Sequence, residues 1–401
     1  MIEPPLPFGN AAGRWFYVLL KGLVERGHRV NAFATCSNPA DMAEAEALFP
    51  SPAFDLRCYP HGNRRGVKFK LETLLRPYSY MFSDEMRADL RRTLAGGFDV
   101  LHLEQLWSGW LGLQHADRAL PNVHYLFSID QSHARPRGPR GRALAWVTRR
   151  AERRLLRAYP RQIALTDRLA AEVRRANPSA DVSVVPLGID LSLYPFDPDP
   201  PRPPGTPPTV GLIGSFGWTP TILAGRRLVE RLWPAIRAKV PQARLLIVGR
   251  RAADAMQPYI DRVPGLEVRP DVPDPIPHFR ELDVMLYAPP VGSGIKIKVV
   301  EAMALGTPVV TNSEGAEGLG LGDGVDAGLA DDDAGLADRA AALLLEPTRR
   351  TRQRCAARER VADVCGARTV LDRLEAVYHN ILEPSRGLST NRAMVGAIAG
   401  I

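Results

Sequence analysis

A chain of 401 residues with 45% hydrophobic and 24% charged side chains is too long for one compact core and predicts two domains. The composition excludes a disordered chain, and apolar runs such as RLLIVG (244–249) are strand-sized, which excludes a membrane span. The formal net charge of +8 invites an anionic partner, but no nucleic-acid-binding motif or aromatic platform accompanies it, so nucleic acid is not expected.

The opening MIEPPLPFGN lacks the basic region and apolar core of a signal peptide. The cysteines Cys36, Cys58, Cys355 and Cys365 form no CxxC pair or ligand-like cluster. Both features point to a cytoplasmic protein with reduced thiols. Pro4, Pro5 and Pro7 leave only Met1 to Glu3 for the strand that normally opens a parallel α/β domain. Either that strand is truncated or the true start lies upstream, and the second explanation is favoured.

Residues 14–26 set Phe16, Leu19, Leu20, Leu23 and Val24 at helical spacing, and Gly27 stops the helix before the strand RVNAFA. Short β-rich runs follow at 99–103, 123–129, 162–165 and 182–188, each preceded by a helical candidate. This alternation predicts a parallel sheet covered on both faces. Within it, residues 135–161 carry ten arginines around Trp146, Val147, Leu155, Leu156 and Tyr159. After Gly141 they read as a basic amphipathic helix. It meets an anionic membrane or an acidic substrate, or it is a solvated helix with one buried stripe.

The sharpest break is PFDPDPPRPPGTPP (195–208), where eight of fourteen residues are proline. Such a segment forms neither helix nor central strand and reads as a stiff linker. Beyond it the design repeats: a strand at 209–215, a helix over 221–239, a strand at 243–250, then LEVRPDV. A short helix near 275–281 and a strand at 284–289 follow, and 334–382 is helical. The expected organisation is therefore a first domain over 1–195, a linker over 196–208, a second domain over 209–382 and a tail over 383–401. Ligands of such paired α/β sheets bind in the cleft between them.

The segment GSGIKIKVVEAMALGTPVV (292–310) holds the densest candidate chemistry. Gly292 and Gly294 give a turn, and Ile295, Val299, Ala302 and Met303 form one buried helical face. Gly306 and Pro308 end the helix before the strand VVT. Lys296 and Lys298 then sit in the first helical turn, where the dipole disfavours cations unless an anion such as a diphosphate joins them. Glu301, further in, can accept two hydroxyl hydrogen bonds from a ribose or sugar. A surface turn with solvated lysines and a salt-bridged Glu301 is the competing reading.

GSGIKIKVVEAMALGTPVVTNSEGAEGL resembles the nucleotide-sugar signature of glycosyltransferase family 4, and specifically the branch reading GIKIKVLEAMA followed by GAEGL. Other blocks resemble the family in order: PPLPFGNAAGRWFYVLLKGLVERGHRV, FDVLHLEQLW, VSVVPLGID, VGLIGSFGWTPTILAGRRLVERLWPAI and ARLLIVGR, together spanning most of residues 4–321. The resemblance implies a GT-B fold, two Rossmann-like domains facing across a cleft. It implies a retaining transferase that uses a nucleoside-diphosphate sugar and no metal. DPD (197–199) and DDD (331–333) fall in linker and loop, not at an Asp-x-Asp metal site.

By position, the resemblance makes Glu301 the ribose ligand and puts Ser293 where the family has its first acid. Gly294, Lys296 and Lys298 are implied to meet the diphosphate. The family's Arg and Lys after the strand ending at Gly214 are replaced by Ser215 and Thr219; Lys296 or Arg250 supplies the charge instead. Gly13 matches the glycine that lets a backbone N–H approach the donor phosphate. Asp130 or His133 is placed near the anomeric carbon or acceptor, and His102 and Glu104 on the acceptor side. His61, His115, His124, His278 and His379 are read as background. The acceptor is expected in exopolysaccharide, cell-envelope glycan or natural-product glycoside assembly, at the inner membrane face where residues 135–161 touch lipid. An inactive nucleotide-sugar-binding scaffold and a nucleotide-sugar epimerase remain as alternatives.

Overall fold

A computed structural model describes the chain except residues 8–10, 37, 49–50, 63–65, 131–137, 202 and 383–401. His133, the first arginines of the basic stretch and the tail lie outside the described residues. In the first half, β1 (Val30–Cys36) pairs in parallel with β2 (Phe54–Pro60), a strand that sequence reasoning missed. A second parallel sheet runs β3 (Leu101–Glu104), β4 (Ala119–Val123), β5 (Arg161–Ala164), β6 (Asp181–Val184) in spatial order. At the seam, the Met1 ammonium donates to Phe33 O at 2.7 Å and Thr35 N–H donates to Met1 O at 3.2 Å.

The second half forms one parallel sheet from β7 (Thr209–Ile213), β8 (Arg244–Gly249), β9 (Leu266–Pro270), β10 (Val284–Tyr287), β11 (Val309–Thr311) and β12 (Gly328–Leu329). Its spatial order is β12-β11-β10-β7-β8-β9. Strand order reverses at β7, between β10 and β8, and crevices at the carboxyl edge of such a switch point are where α/β sheets bind ligands. The strands are near-continuous apolar runs because helices cover both faces; Leu245 to Val248 are wholly buried. The chain thus has the two Rossmann-like α/β units of the GT-B fold.

Three local expectations change. The run 123–129 is not a strand: β4 ends at Val123, and Phe127–Asp130 is a single helical turn. Its aromatics build a packed corner, with Phe127 stacked on Tyr78 at 5.3 Å and edge-on to Tyr125 at 5.5 Å. The helix expected over 221–239 is interrupted by a wider π turn at Leu228–Leu232, just before Pro234, which lacks the N–H a regular turn needs. The final helix, Ala367–Leu382, packs on the opening helix Ala11–Glu25 of the first half, although 209–382 was expected to form the second domain. Arg26 pairs with Asp372 at 2.7 Å, and a Cβ on Gly22 would lie 2.1 Å from Leu371.

The ends of β7 and β8 come together at Gly249 (φ +136°), where a Cβ would stand 2.0 Å from Gly214 O. Gly249→Ala is expected to cost more than about 2 kcal/mol, from both the backbone region and the clash. A thermal midpoint unchanged by circular dichroism would show that the two strand ends do not approach in this way.

Candidate active site

After β10 the chain turns through Pro289 and Pro290, crosses Gly292–Ile295 and enters helix Ile297–Ala304. Lys296 is the residue before the helix, and Lys298 lies inside its first turn. The expected single buried face is wrong: every residue from Val299 to Ala304 is buried, because the helix runs between the sheet and helix Pro347–Cys365.

The two lysines diverge. Lys298 is half-buried; its Nζ donates to Thr221 Oγ1 at 2.6 Å and sits 4.3 Å from the centre of the Tyr287 ring. It runs beneath the loop after β7, where a Cβ on Gly214 would approach Lys298 Cε to 3.0 Å. Burial, with the nearby Lys296 charge adding to it, lowers its pKa to about 7. Lys296 turns the other way, donating to Gly294 O at 2.5 Å and standing 3.4 Å from Glu317 Oε2. Burial lowers its pKa, and Glu317 partly restores it.

Glu301, 8% exposed, reaches the opposite half of the molecule. It forms an ion pair with Arg14 and accepts from Tyr194 Oη at 3.1 Å. Gly13 is the neighbour of Arg14 in the first turn of helix Ala11–Glu25. Arg14 and Tyr194 were not found from sequence, since nothing in a lone arginine or tyrosine points across a cleft.

Loop 292–294 is pressed against residues 124–130. Asp130 Oδ1 accepts from both the Ser293 N–H and Oγ at 2.7 Å, and the Leu126 N–H donates to Ser293 Oγ at 2.9 Å. Burial raises the Asp130 pKa against the lowering effect of those bonds. Gly294 has φ +78°, and a Cβ there would come within 2.2 Å of His124 O. A second bridge joins Arg168 to Glu314 at 2.9 and 3.1 Å and to Glu317 at 2.8 Å, while Thr166 Oγ1 donates to Glu317 at 2.8 Å. The acid pair of SEGAEGL was quoted for its resemblance, but its partners were not foreseen.

His102 and Glu104, expected on the acceptor side, are both held by neighbouring side chains. Glu104 is 1% exposed and accepts from Trp15 Nε1 at 3.0 Å and Asn122 Nδ2 at 3.3 Å. His124 Nε2 lies 2.5 Å away, so a histidine read as background belongs to this cluster. Burial alone would raise the Glu104 pKa, but His102 and His124 hold it well below the carboxylate range. His102 Nδ1 meets Tyr378 Oη at 2.6 Å, tying the last helix to β3. Arg250 is exposed at the end of β8, with Nη2 3.4 Å from Ser215 Oγ. The DDD acids serve elsewhere: Asp331 accepts from the Ser313 N–H, Asp332 caps helix Asp333–Leu345, and Asp333 pairs with Arg227.

Residues 12–193 match the family model for Glycosyltransferase Family 4, and residues 207–346 match Glycosyl transferases group 1. The D-inositol 3-phosphate glycosyltransferase of Mycobacterium leprae is 26% identical over 337 residues, covering 79% of this chain and 76% of the relative. Sucrose-phosphate synthase from Thermosynechococcus elongatus superposes with a TM-score of 0.70 at 20% identity, covering 96% of both chains. Anabaena HepE, solved with UDP, superposes at 0.67 with 14% identity over 94% of this chain and 98% of its own. The chain thus matches glycosyltransferase family models in both halves, and its fold is GT-B.

In this glycosyltransferase, Lys298 carries a stability signature. An amine whose folded pKa is about 7 rather than its ordinary 10.5 binds fewer protons folded than unfolded between those values. Its contribution to stability therefore improves as pH rises through that window. Lys298→Met is expected to raise the thermal midpoint at pH 6–7 by at least about 2 °C, with the gain shrinking towards pH 10. Melting curves across that range check it, and a gain independent of pH would assign the effect to packing alone.

Proposed function

We propose that this glycosyltransferase moves a sugar from a nucleoside-diphosphate donor to an acceptor hydroxyl with retention at the anomeric carbon. The supporting observation is the convergence of Gly13, Gly294, Lys296, Glu301 and Asp130 on one seam at the switch-point edge of the second sheet. The donor lies against residues 209–382 and the acceptor against residues 1–195. Glu301 takes the ribose hydroxyls. The start of helix Ile297–Ala304, with Lys296 and Lys298, takes the diphosphate, so the cations that meet it are protein groups and no metal is needed.

The bond from the anomeric carbon to the diphosphate oxygen breaks, and negative charge grows on that oxygen, where the helix start and lysines stabilise it. The acceptor oxygen bonds to the carbon from the same face, and its proton passes to the departing diphosphate. Asp130 is held on Ser293, the position at which the family's first acid is missing. Its carboxylate supplies from the first half the negative charge that steadies the sugar as the bond opens.

A UDP-glucose donor is the first to test, because HepE is recorded with UDP-glucose. The product anomer by NMR is expected to match the donor, and chelation by EDTA should leave the rate unchanged. Lys296→Ala and Asp130→Asn are each expected to lower kcat by about 100-fold or more while the thermal midpoint stays put. Unchanged rates remove these residues from the mechanism, and donor binding without turnover selects the scaffold reading instead.

The basic stretch supports a peripheral contact with anionic lipid. Helix Gly138–Ala158 buries Ala145, Thr148, Ala151, Leu155 and Leu156, and also its one acid, Glu152. Its outer face leaves Trp146 61% exposed beside Arg149, Arg150, Arg153 and Arg157. Among the described residues no helix is long and apolar enough to cross a membrane. Sedimentation with phosphatidylglycerol-containing vesicles, but not with pure phosphatidylcholine, is expected, and Trp146→Glu should abolish it. Equal sedimentation with both vesicles would refute the charge argument.

A further inference from the structure

The Arg14–Glu301 pair poses a problem for the reading above. A ribose can engage both oxygens of Glu301 with its two hydroxyls only if each is open, yet the Arg14 guanidinium holds Oε1. Tyr194 Oη donates to that same oxygen at 3.1 Å. Uncovering Glu301 strands Arg14, a largely buried cation whose Nε already lacks a hydrogen-bond partner. A buried charge deprived of its counterion is costly. The position worsens the cost, since Arg14 stands in the first turn of a 15-residue helix, where the dipole repels cations.

The same helix start is a place that attracts an anion. The positive end of the helix dipole lies at this first turn, beside Arg14. An arriving diphosphate would satisfy the dipole end and the displaced guanidinium together, and a guanidinium forks onto phosphate oxygens as readily as onto carboxylate.

We propose that Arg14 is a ligand-exchange latch that leaves Glu301 for the donor diphosphate, so ribose is admitted only when phosphates arrive on the same molecule. The latch makes the site selective for nucleoside diphosphates over nucleosides, beyond what the phosphate contacts alone provide. In the empty enzyme it neutralises Glu301 and joins the two halves. On donor binding one anionic partner replaces another, and no buried charge is left alone. The proposal rests on Glu301 being the ribose ligand.

Calorimetric titration of the full-length protein with UDP, GDP and ADP, and with uridine, guanosine and adenosine, tests it. The wild type is expected to bind one diphosphate well and its nucleoside weakly. Arg14→Met should weaken that diphosphate by at least about tenfold and strengthen the nucleoside, because Glu301 is then uncovered. In a Glu301→Gln background the nucleoside gain should vanish. Loss of both ligands by a similar factor, or no change in either, overturns the latch and leaves the donor site intact. Failure of the wild type to bind any of the three diphosphates overturns the donor-site reading itself. Should Arg14→Met not fold, Arg14→Gln gives the same comparison.

Discussion

A carboxylate buried in the middle of an apolar helix must find a counterion, and most of the seam between the two halves follows from that requirement. Helix Ile297–Ala304 is closed in by the sheet on one side and helix Pro347–Cys365 on the other. Glu301 therefore has only the opposite half of the molecule to turn to, where Arg14 and Tyr194 meet it. A hydrophobic residue at 301 would pack more cheaply, since a buried ion pair rarely gains over a well-fitted apolar one. The charge is intelligible as part of a site, and poorly so as a stabilising device.

The rest of the seam obeys the same economy. Ser293 meets Asp130, and Arg168 meets Glu314 and Glu317. Polar contacts of this kind can be exchanged for water or ligand, whereas an apolar interface of similar size would hold the halves together. The enclosed stretches contrast with this: Leu245 to Val248 of β8 are apolar and buried, and Val299 to Ala304 are buried with Glu301 as their one polar side chain. Rigid sheets thus carry a seam whose contacts are individually replaceable, which suits an enzyme that must open, take in a donor and close.

Much of this was legible in sequence. Short continuous apolar runs gave β7, β8, β10 and β11, and glycine and proline gave the ends of helix Ile297–Ala304. What stayed hidden was long-range. Alternation in VHYLFSI is identical whether the run continues a strand or packs a corner, and only Tyr78, some 50 residues away, decides for the corner. Nothing local told that Ala367–Leu382 returns to the opening helix, because its charged residues Asp372 and Glu375 read equally as solvated until Arg26 is placed beside them. For Glu104 the sequence shows an apolar strand around it but not its partners Trp15, Asn122 and His124.

The pair of lysines in GIKIK illustrates why spacing alone could not settle the site. Residues two apart at a helix start point to nearly opposite sides, so one motif serves two loops. Lys296 stays on the seam with Gly294, Glu317 and the Asp130 side of the cleft. Lys298 passes under Gly214 to Thr221, at the start of helix Thr219–Arg227 that follows the loop after β7. The glycine at 214 is what makes room for that path. The cation absent from the loop after β7 is thus delivered to it from below by the helix, and a diphosphate lying between would meet positive charge from both sides without any base in the loop itself.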